Sequence, residues 1–316
     1  MEIVFLDALT LGEEISLERF KRFGKVYIHQ TCKPDELPNK IENADILVTN
    51  KVVLGEDEFK IAKNLKLICV AATGFNNVDL NGAAKRGIVV ANVRNYSTEG
   101  VAQHTFSLIL AIENSLIDYI NDTRNGLWSA SPVFTMIKYP LNELRDRKIG
   151  IIGYGNIGKR VAEIAKVFGM QVLIGKRKGI EYSDYERVDF EFLLRESDIL
   201  TIHAPLSENT KDLITLNELK MMKPGAVLIN VARGGIVNEN DLYTALSQNI
   251  IRAAALDVVD KEPISINNKL CQLRNLLISP HIAWASYQSR LRLLDGIEQN
   301  IEKFIQNKSD EINLAL

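Results

Sequence analysis

Short apolar runs alternate with amphipathic stretches along the chain, and the series starts twice. Between residues 2 and 93, apolar segments at 3–6, 26–29, 46–49, 67–71 and 89–93 are separated by helix-like stretches such as 57–63. Near-continuous apolar strands alternating with helices predict a small parallel α/β layer. Residues 101–120 follow with Phe106, Ile109, Leu110 and Ile117 at helical spacing, which predicts one long helix crossing between domains. Residues 126–142 hold two prolines and little periodicity, and are read as an extended loop and an oligomer contact. The second series runs through 148–152, 172–175, 199–204, 227–231 and 253–258. From Ser286 to Lys308 the residues Leu291, Leu294, Ile297, Ile301 and Phe304 repeat with helical period. That closing helix is expected to return to the first domain. The division expected is 1–98 with 287–316 as one discontinuous domain and 99–286 as the other, with a ligand cleft between them.

The second series opens on Lys148-Ile149-Gly150-Ile151-Ile152-Gly153-Tyr154-Gly155-Asn156-Ile157-Gly158, a buried strand, a glycine turn and a helix start in succession. A dinucleotide pyrophosphate needs that order. Gly153 permits the tight turn, Gly155 lets the backbone approach the phosphates, and Gly158 lets the helix beginning near Asn156 and Ile157 pack on the strand, with its N-terminus facing the anion. An NAD-type unit places an acidic residue about 20 residues further on, where it bonds the adenosine ribose. Here the strand runs into Lys176-Arg177-Lys178, with no carboxylate before Glu181. Bases at the position of the missing acid attract a 2′-phosphate, so NADP(H) is favoured over NAD(H).

Composition narrows the remaining choices. The 316 residues are 46% hydrophobic and 25% charged, with 38 basic against 40 acidic side chains, so nothing electrostatic argues for nucleic acid or an anionic membrane. Cys32, Cys69 and Cys271 are odd in number and far apart, which argues for reduced thiols and against a disulfide or metal framework. The start, Met1 to Asp7, lacks the basic flank and long apolar core of a signal peptide, and no run approaches membrane-spanning length. A cytoplasmic location is expected.

Three charged groups fall just after predicted strands, where open α/β sheets hold their ligands. Arg233 opens Arg233-Gly234-Gly235, Glu262 precedes Pro263, and His281 follows Pro280. Reduction of a 2-keto acid needs a hydride donor, a grip on the carboxylate, polarisation of the carbonyl and a proton for the alkoxide. Arg233 suits the second and third, and His281 the fourth. Glu262 beside His281 would orient the ring and favour its protonated form. His104 and Asn77 read as structural residues, His104 satisfied by packing and Asn77 in a turn.

In this order the motifs Ala72 to Asp79, Tyr96-Ser97-Thr98 with Val101 to Thr105, the glycine turn, His203-Ala204-Pro205-Leu206, Asn230 to Gly235, Leu256-Asp257-Val258 with Glu262-Pro263, and Ser279-Pro280-His281 resemble the D-isomer-specific 2-hydroxyacid dehydrogenases from end to end. The resemblance implies two doubly wound α/β domains, a Rossmann nucleotide-binding domain and a smaller flavodoxin-like substrate domain. It implies Arg233, Glu262 and His281 as the catalytic set, and backbone amides near Thr73 and Gly74 holding the substrate carboxylate. Thr98 and Val101 would border the nicotinamide and Asp257 its carboxamide, with His203, Ala204, Pro205, Val231 and Ala232 also along the cofactor. Homodimerisation through the nucleotide-binding domain is the family habit. Lys176 departs from the family pattern, where an acid is usual. The segment from His281 to Ser286 is similar to the glycerate dehydrogenase and hydroxypyruvate reductase branch, and Trp284 in it reads either as a wall of the substrate pocket, where a large rigid aromatic restricts substrate size, or as packing beneath the closing helix.

The expected reaction is reduction of hydroxypyruvate or glyoxylate to D-glycerate or glycolate. Alternatives on the same fold are D-3-phosphoglycerate dehydrogenase, a formate dehydrogenase without such a general acid, and a dinucleotide-sensing corepressor.

Overall fold

The computed structural model describes residues 1–176, 186–308, 312, 314 and 315. The chain divides into two compact units, Met1–Ser97 with Ala285–Leu316, and Thr98–Trp284.

The first unit contains β1 (Glu2–Phe5), β2 (Lys25–Ile28), α1 (Leu37–Ile41), β3 (Ile46–Thr49), α2 (Glu56–Ile61), β4 (Leu67–Val70), α3 (Leu80–Lys85) and β5 (Val89–Ala91). Its strands are all parallel, in the order β2-β1-β3-β4-β5. That is the flavodoxin-like order. Every residue of β3 and β4 is buried, as the apolar runs require of a sheet covered on both faces. The closing helix, Tyr287–Ile305, belongs to this unit: it buries Leu293, Leu294, Ile297 and Ile301, and Asn300 Nδ2 donates to the carbonyl of Asn92 at 3.0 Å. Gly296 permits the approach, because a Cβ there would run into the side chain of Val93.

The second unit contains α4 (Thr98–Glu113), α5 (Leu116–Arg124), β6 (Lys148–Ile152), α6 (Asn156–Val167), β7 (Gln171–Ile174), α7 (Phe190–Glu196), β8 (Ile199–Ile202), α8 (Leu216–Met221), β9 (Val227–Asn230), α9 (Glu239–Ser247), β10 (Ala253–Leu256) and β11 (Leu276–Ile278). The sheet is parallel throughout, in the order β11-β10-β9-β8-β6-β7. One face packs on α4 and α6 through residues such as Phe106, Ile109 and Val161, and the other on α7, α8 and α9 through Leu194, Leu219 and Leu242. β6 lies between β7 and β8, so the chain changes its direction of winding at the end of β6. Ligands of such sheets bind at that switch point, beyond the carboxyl ends of the strands.

The single helix expected over 101–120 is two helices. Ser115 adopts a left-handed backbone with φ 44°, and its hydroxyl donates to the carbonyl of Pro140 at 2.8 Å. The carbonyl of Glu113 accepts from the Asn142 amide at 3.0 Å, outside the helical ladder. The Glu113 carboxylate, fully buried, is held by Arg147 and Arg252 at 2.7 Å each. These partners end α4 and re-aim α5, which buries none of its residues. Among the described residues no helix is long and apolar enough to cross a membrane.

Candidate active site

The glycine turn sits at the carboxyl end of β6, at the switch point. Gly153 has φ +90°, and a Cβ there would meet the carbonyl carbon of His203 at 2.6 Å. A Cβ at Gly158 would collide with the carbonyl oxygen of Gly153, so this glycine lets α6 press against the turn. A Cβ at Gly155 would meet nothing within 4 Å, which leaves open the space that a phosphate would occupy before the N-terminus of α6. Steric need at two glycines and open space at the third fit a dinucleotide pyrophosphate.

At the other end of the sheet, β9, β10 and β11 are neighbours, and their carboxyl ends lead to Arg233, Glu262 and His281 respectively. His281 Nδ1 lies 2.6 Å from Glu262 Oε2. Since a carboxylate only accepts, Nδ1 carries the proton of that bond, and Nε2 is the nitrogen that gains or gives a proton. The other oxygen, Glu262 Oε1, accepts from the Val259 amide at 3.2 Å, which fixes the carboxylate against its own turn. Asn230, buried at the end of β9, closes the next turn by donating to the carbonyl of Arg233 at 2.9 Å and accepting from the Ala232 amide at 3.0 Å. The Arg233 guanidinium donates to the carbonyl of Ala232 at 2.7 Å.

His281 also has a left-handed backbone, φ 55°, a conformation that costs a residue other than glycine about 1–3 kcal/mol. Asp257 supplies the compensation. Its carbonyl and that of Ser279 accept from the His281 amide at 2.9 and 3.0 Å. Its carboxylate, 1% exposed, takes the Ser279 hydroxyl at 2.6 Å, the Ile282 amide at 2.9 Å and the Ala283 amide at 2.8 Å. His104 Nε2 lies 2.9 Å from Ser279 Oγ and 3.4 Å from Asp257 Oδ1. The serine proton is already engaged with Asp257, so His104 is the donor to Ser279 and carries its proton on Nε2. Burial alone would raise the Asp257 carboxyl, but the bonds from His104, Ser279, Ala283 and Ile282 outweigh it and hold the group below the usual carboxylate range.

Residues 106–283 match the D-isomer specific 2-hydroxyacid dehydrogenase, NAD binding domain family. The chain belongs to that family. It is 38% identical over 316 residues to a glycerate dehydrogenase of Methylorubrum extorquens, covering 98% of each chain. With a hydroxypyruvate reductase of Blautia hydrogenotrophica it shares 34% identity, over 100% of this chain and 99% of the other. An acyclic imino acid reductase solved in complex with NADPH and D-Arg superposes with a TM-score of 0.86 at 29% identity, over 100% of both chains. This D-2-hydroxyacid dehydrogenase is therefore an oxidoreductase that moves hydride between a nicotinamide cofactor and small 2-keto or 2-hydroxy acids.

Other residues of the dehydrogenase singled out from sequence take varied positions. Thr98 begins α4, and Val101 is buried in its first turn. Val231 is likewise buried, while Pro205 is exposed and Ala204 and Ala232 are half-buried. His203 follows β8 with its Nε2 3.0 Å from Thr201 Oγ1, and burial drives its pKa down to about 3. Asp257 places its buried carboxylate on the 279–283 turn, and His104, expected to be satisfied by packing, hydrogen-bonds Ser279. Trp284 packs half-buried on the α4 and α6 face of the core. In the first unit, exposed Thr73 follows β4, donates its hydroxyl to the Val93 carbonyl at 3.1 Å and accepts at its own carbonyl from Asn92 at 2.7 Å, with Gly74 next in the loop. Lys176 pairs with Asp189 at 3.4 Å, and Arg177 and Lys178 lie outside the described residues.

Proposed function

We propose that this dehydrogenase reduces a small 2-keto acid, hydroxypyruvate or glyoxylate, to the D-2-hydroxy acid, with NADPH preferred over NADH. The observation that carries the reading is His281, held in a strained backbone with Nδ1 on Glu262, which leaves Nε2 for proton transfer. The glycine turn and the start of α6 hold the cofactor, which supplies a hydride equivalent when bound. Arg233 grips the substrate carboxylate and polarises the carbonyl. Imidazolium His281 gives its Nε2 proton to the carbonyl oxygen as negative charge develops there, and Glu262 stabilises the charged ring until that moment. In the oxidative direction neutral Nε2 accepts the hydroxyl proton. Glycerate dehydrogenase and hydroxypyruvate reductase among the relatives support the choice of substrate. Lys176 in place of an acid supports the choice of cofactor. The reducing cytoplasm suits three unpaired cysteines.

A panel of 2-keto acids assayed with NADH and NADPH tests this. Hydroxypyruvate and glyoxylate should give the highest kcat/KM, with NADPH the better donor and, from hydroxypyruvate, D-glycerate by chiral chromatography. Turnover confined to 2-keto acids mixed with amines would point to imine reduction and overturn the substrate assignment. Equal or better use of NADH would overturn the cofactor assignment.

The second unit also supports a homodimer. Trp128, Val133, Phe134, Ile137 and Leu141 lie exposed along one segment, Phe134 at 91% and Ile137 at 79%, and next to it α5 exposes Leu116 and Ile117. An apolar surface of this kind calls for a partner. Light scattering should give about twice the 35.5 kDa chain mass, and Phe134→Asp with Ile137→Asp should return a monomer. A monomeric wild-type protein would refute the dimer.

A further inference from the structure

The clamp behind His281 reaches into a second layer of the fold. His104 lies on α4 between the fully buried Ala102 and Thr105, and only 20% of its own side chain is exposed. Its ring meets the turn after β11, with Nε2 2.9 Å from Ser279 Oγ and 3.4 Å from Asp257 Oδ1. Oδ1 of Asp257 also holds the Ser279 hydroxyl and the Ile282 amide, and Oδ2 holds the Ala283 amide. One carboxylate therefore ties down both flanks of His281. The other members of this clamp come from the segments after β10 and β11, whereas α4 is a helix of 16 residues packed on the sheet through Val101, Phe106 and Ile109. His104 is what joins the turn to that helix.

We propose that His104 is a positioning residue for the proton transfer: through Ser279 and Asp257 it holds the backbone of His281 so that Nε2 faces the substrate carbonyl. The assignment rests on the reading of His281 as the proton donor. Strain supports it first, because a left-handed residue other than glycine persists only where its surroundings over-determine it, and His281 has φ 55°. Charge supports it next. Burial opposes the ionised form of Asp257, and the bond from His104 leads those that offset it, so losing this donor weakens the anion that gathers the amides of Ile282 and Ala283. Direction is the third support: the Ser279 hydrogen is spent on Asp257, so only a side chain that donates can close the clamp from α4. His104 moves no proton of its own in this scheme. A misplacement of about 1 Å costs about 10²-fold in rate, and slackening one member of a clamp with several should cost less, about tenfold.

Steady-state kinetics of the full-length protein test the assignment, with the 2-keto acid and cofactor that give the highest kcat/KM in the panel above. His104→Phe keeps a ring and deletes the N–H, and should lower kcat about tenfold while KM for the 2-keto acid and Kd for the cofactor stay within about twofold. His104→Leu, smaller, makes the same deletion should the larger ring prevent folding. His104→Gln presents an amide N–H in place of Nε2, and should return kcat to within about threefold of wild type. On a His281→Ala background the deletion should add less than about twofold, because the group it positions is gone. A wild-type kcat in the deletion variants, a glutamine no better than they are, or an undiminished loss on the His281→Ala background overturns the assignment. If His281→Ala is itself slow, that result overturns the positioning role alone. A full-rate His281→Ala overturns the proton-donor reading, and the positioning role falls with it.

Discussion

His203 follows β8 and His281 follows β11 of the same parallel sheet. Among the described residues His203, itself half-buried, has no carboxylate against it, and its buried Nδ1 finds no hydrogen-bond partner. His281 keeps 24% of its side chain exposed and rests its Nδ1 on Glu262. Desolvation alone acts on the first ring, driving its pKa to about 3, so it stays neutral at any physiological pH. The second has a counter-charge for its imidazolium and an open Nε2. A carboxylate neighbour, more than position at a strand end, separates a histidine that exchanges protons from one that does not.

The largest test of that difference removes the proton donor. His281→Ala should lower kcat/KM for 2-keto acid reduction by about 10²–10⁴-fold, the range for loss of a general acid, while the Kd for NADPH stays within about twofold. Glu262→Gln keeps an acceptor for Nδ1 but deletes the charge, and should cost less, about 10–100-fold. Because Glu262 works through His281, the double variant should be no slower than His281→Ala. Additive losses would mean that Glu262 acts on substrate by itself, and a full-rate His281→Ala would assign the proton to another group.

Much of this frame was readable in the linear order of residues. β8, β9 and β10 are near-continuous apolar runs because both faces of their sheet are covered, and the glycine turn is readable because its demands fall on adjacent residues. Arg233, Glu262 and His281 stood out because each follows an apolar run and is flanked by glycine or proline. Features made by distant residues were hidden. The break at Ser115 depends on the carbonyl of Pro140 and the amide of Asn142, and on two arginines that bury Glu113. The clamp on His281 joins His104 to Ser279 across 175 residues of sequence, a pairing that no local pattern encodes. The Asn230, Asp257 and Ser279 side chains brace turns and have no periodicity to betray them.

The smallest expected effect concerns His203 and is one of stability. Its folded-state pKa of about 3 lies below the ordinary 6.5, so between those values the unfolded chain binds a proton that the folded chain does not. Stability from this group is complete above pH 6.5 and is lost as pH falls toward 3, at a limiting slope of about 1.4 kcal/mol per pH unit. Other groups, the Asp257 carboxylate among them, add their own acid sensitivity, so the informative quantity is the difference between wild type and His203→Asn. Asn lacks the titration, so its melting temperature should fall less steeply than that of wild type between pH 6.5 and 5, by a few degrees at about 2–4 °C per kcal/mol. Parallel curves would show that His203 takes up its proton in the folded protein. The contrast between the two strand-end histidines would then rest on the Glu262 carboxylate alone.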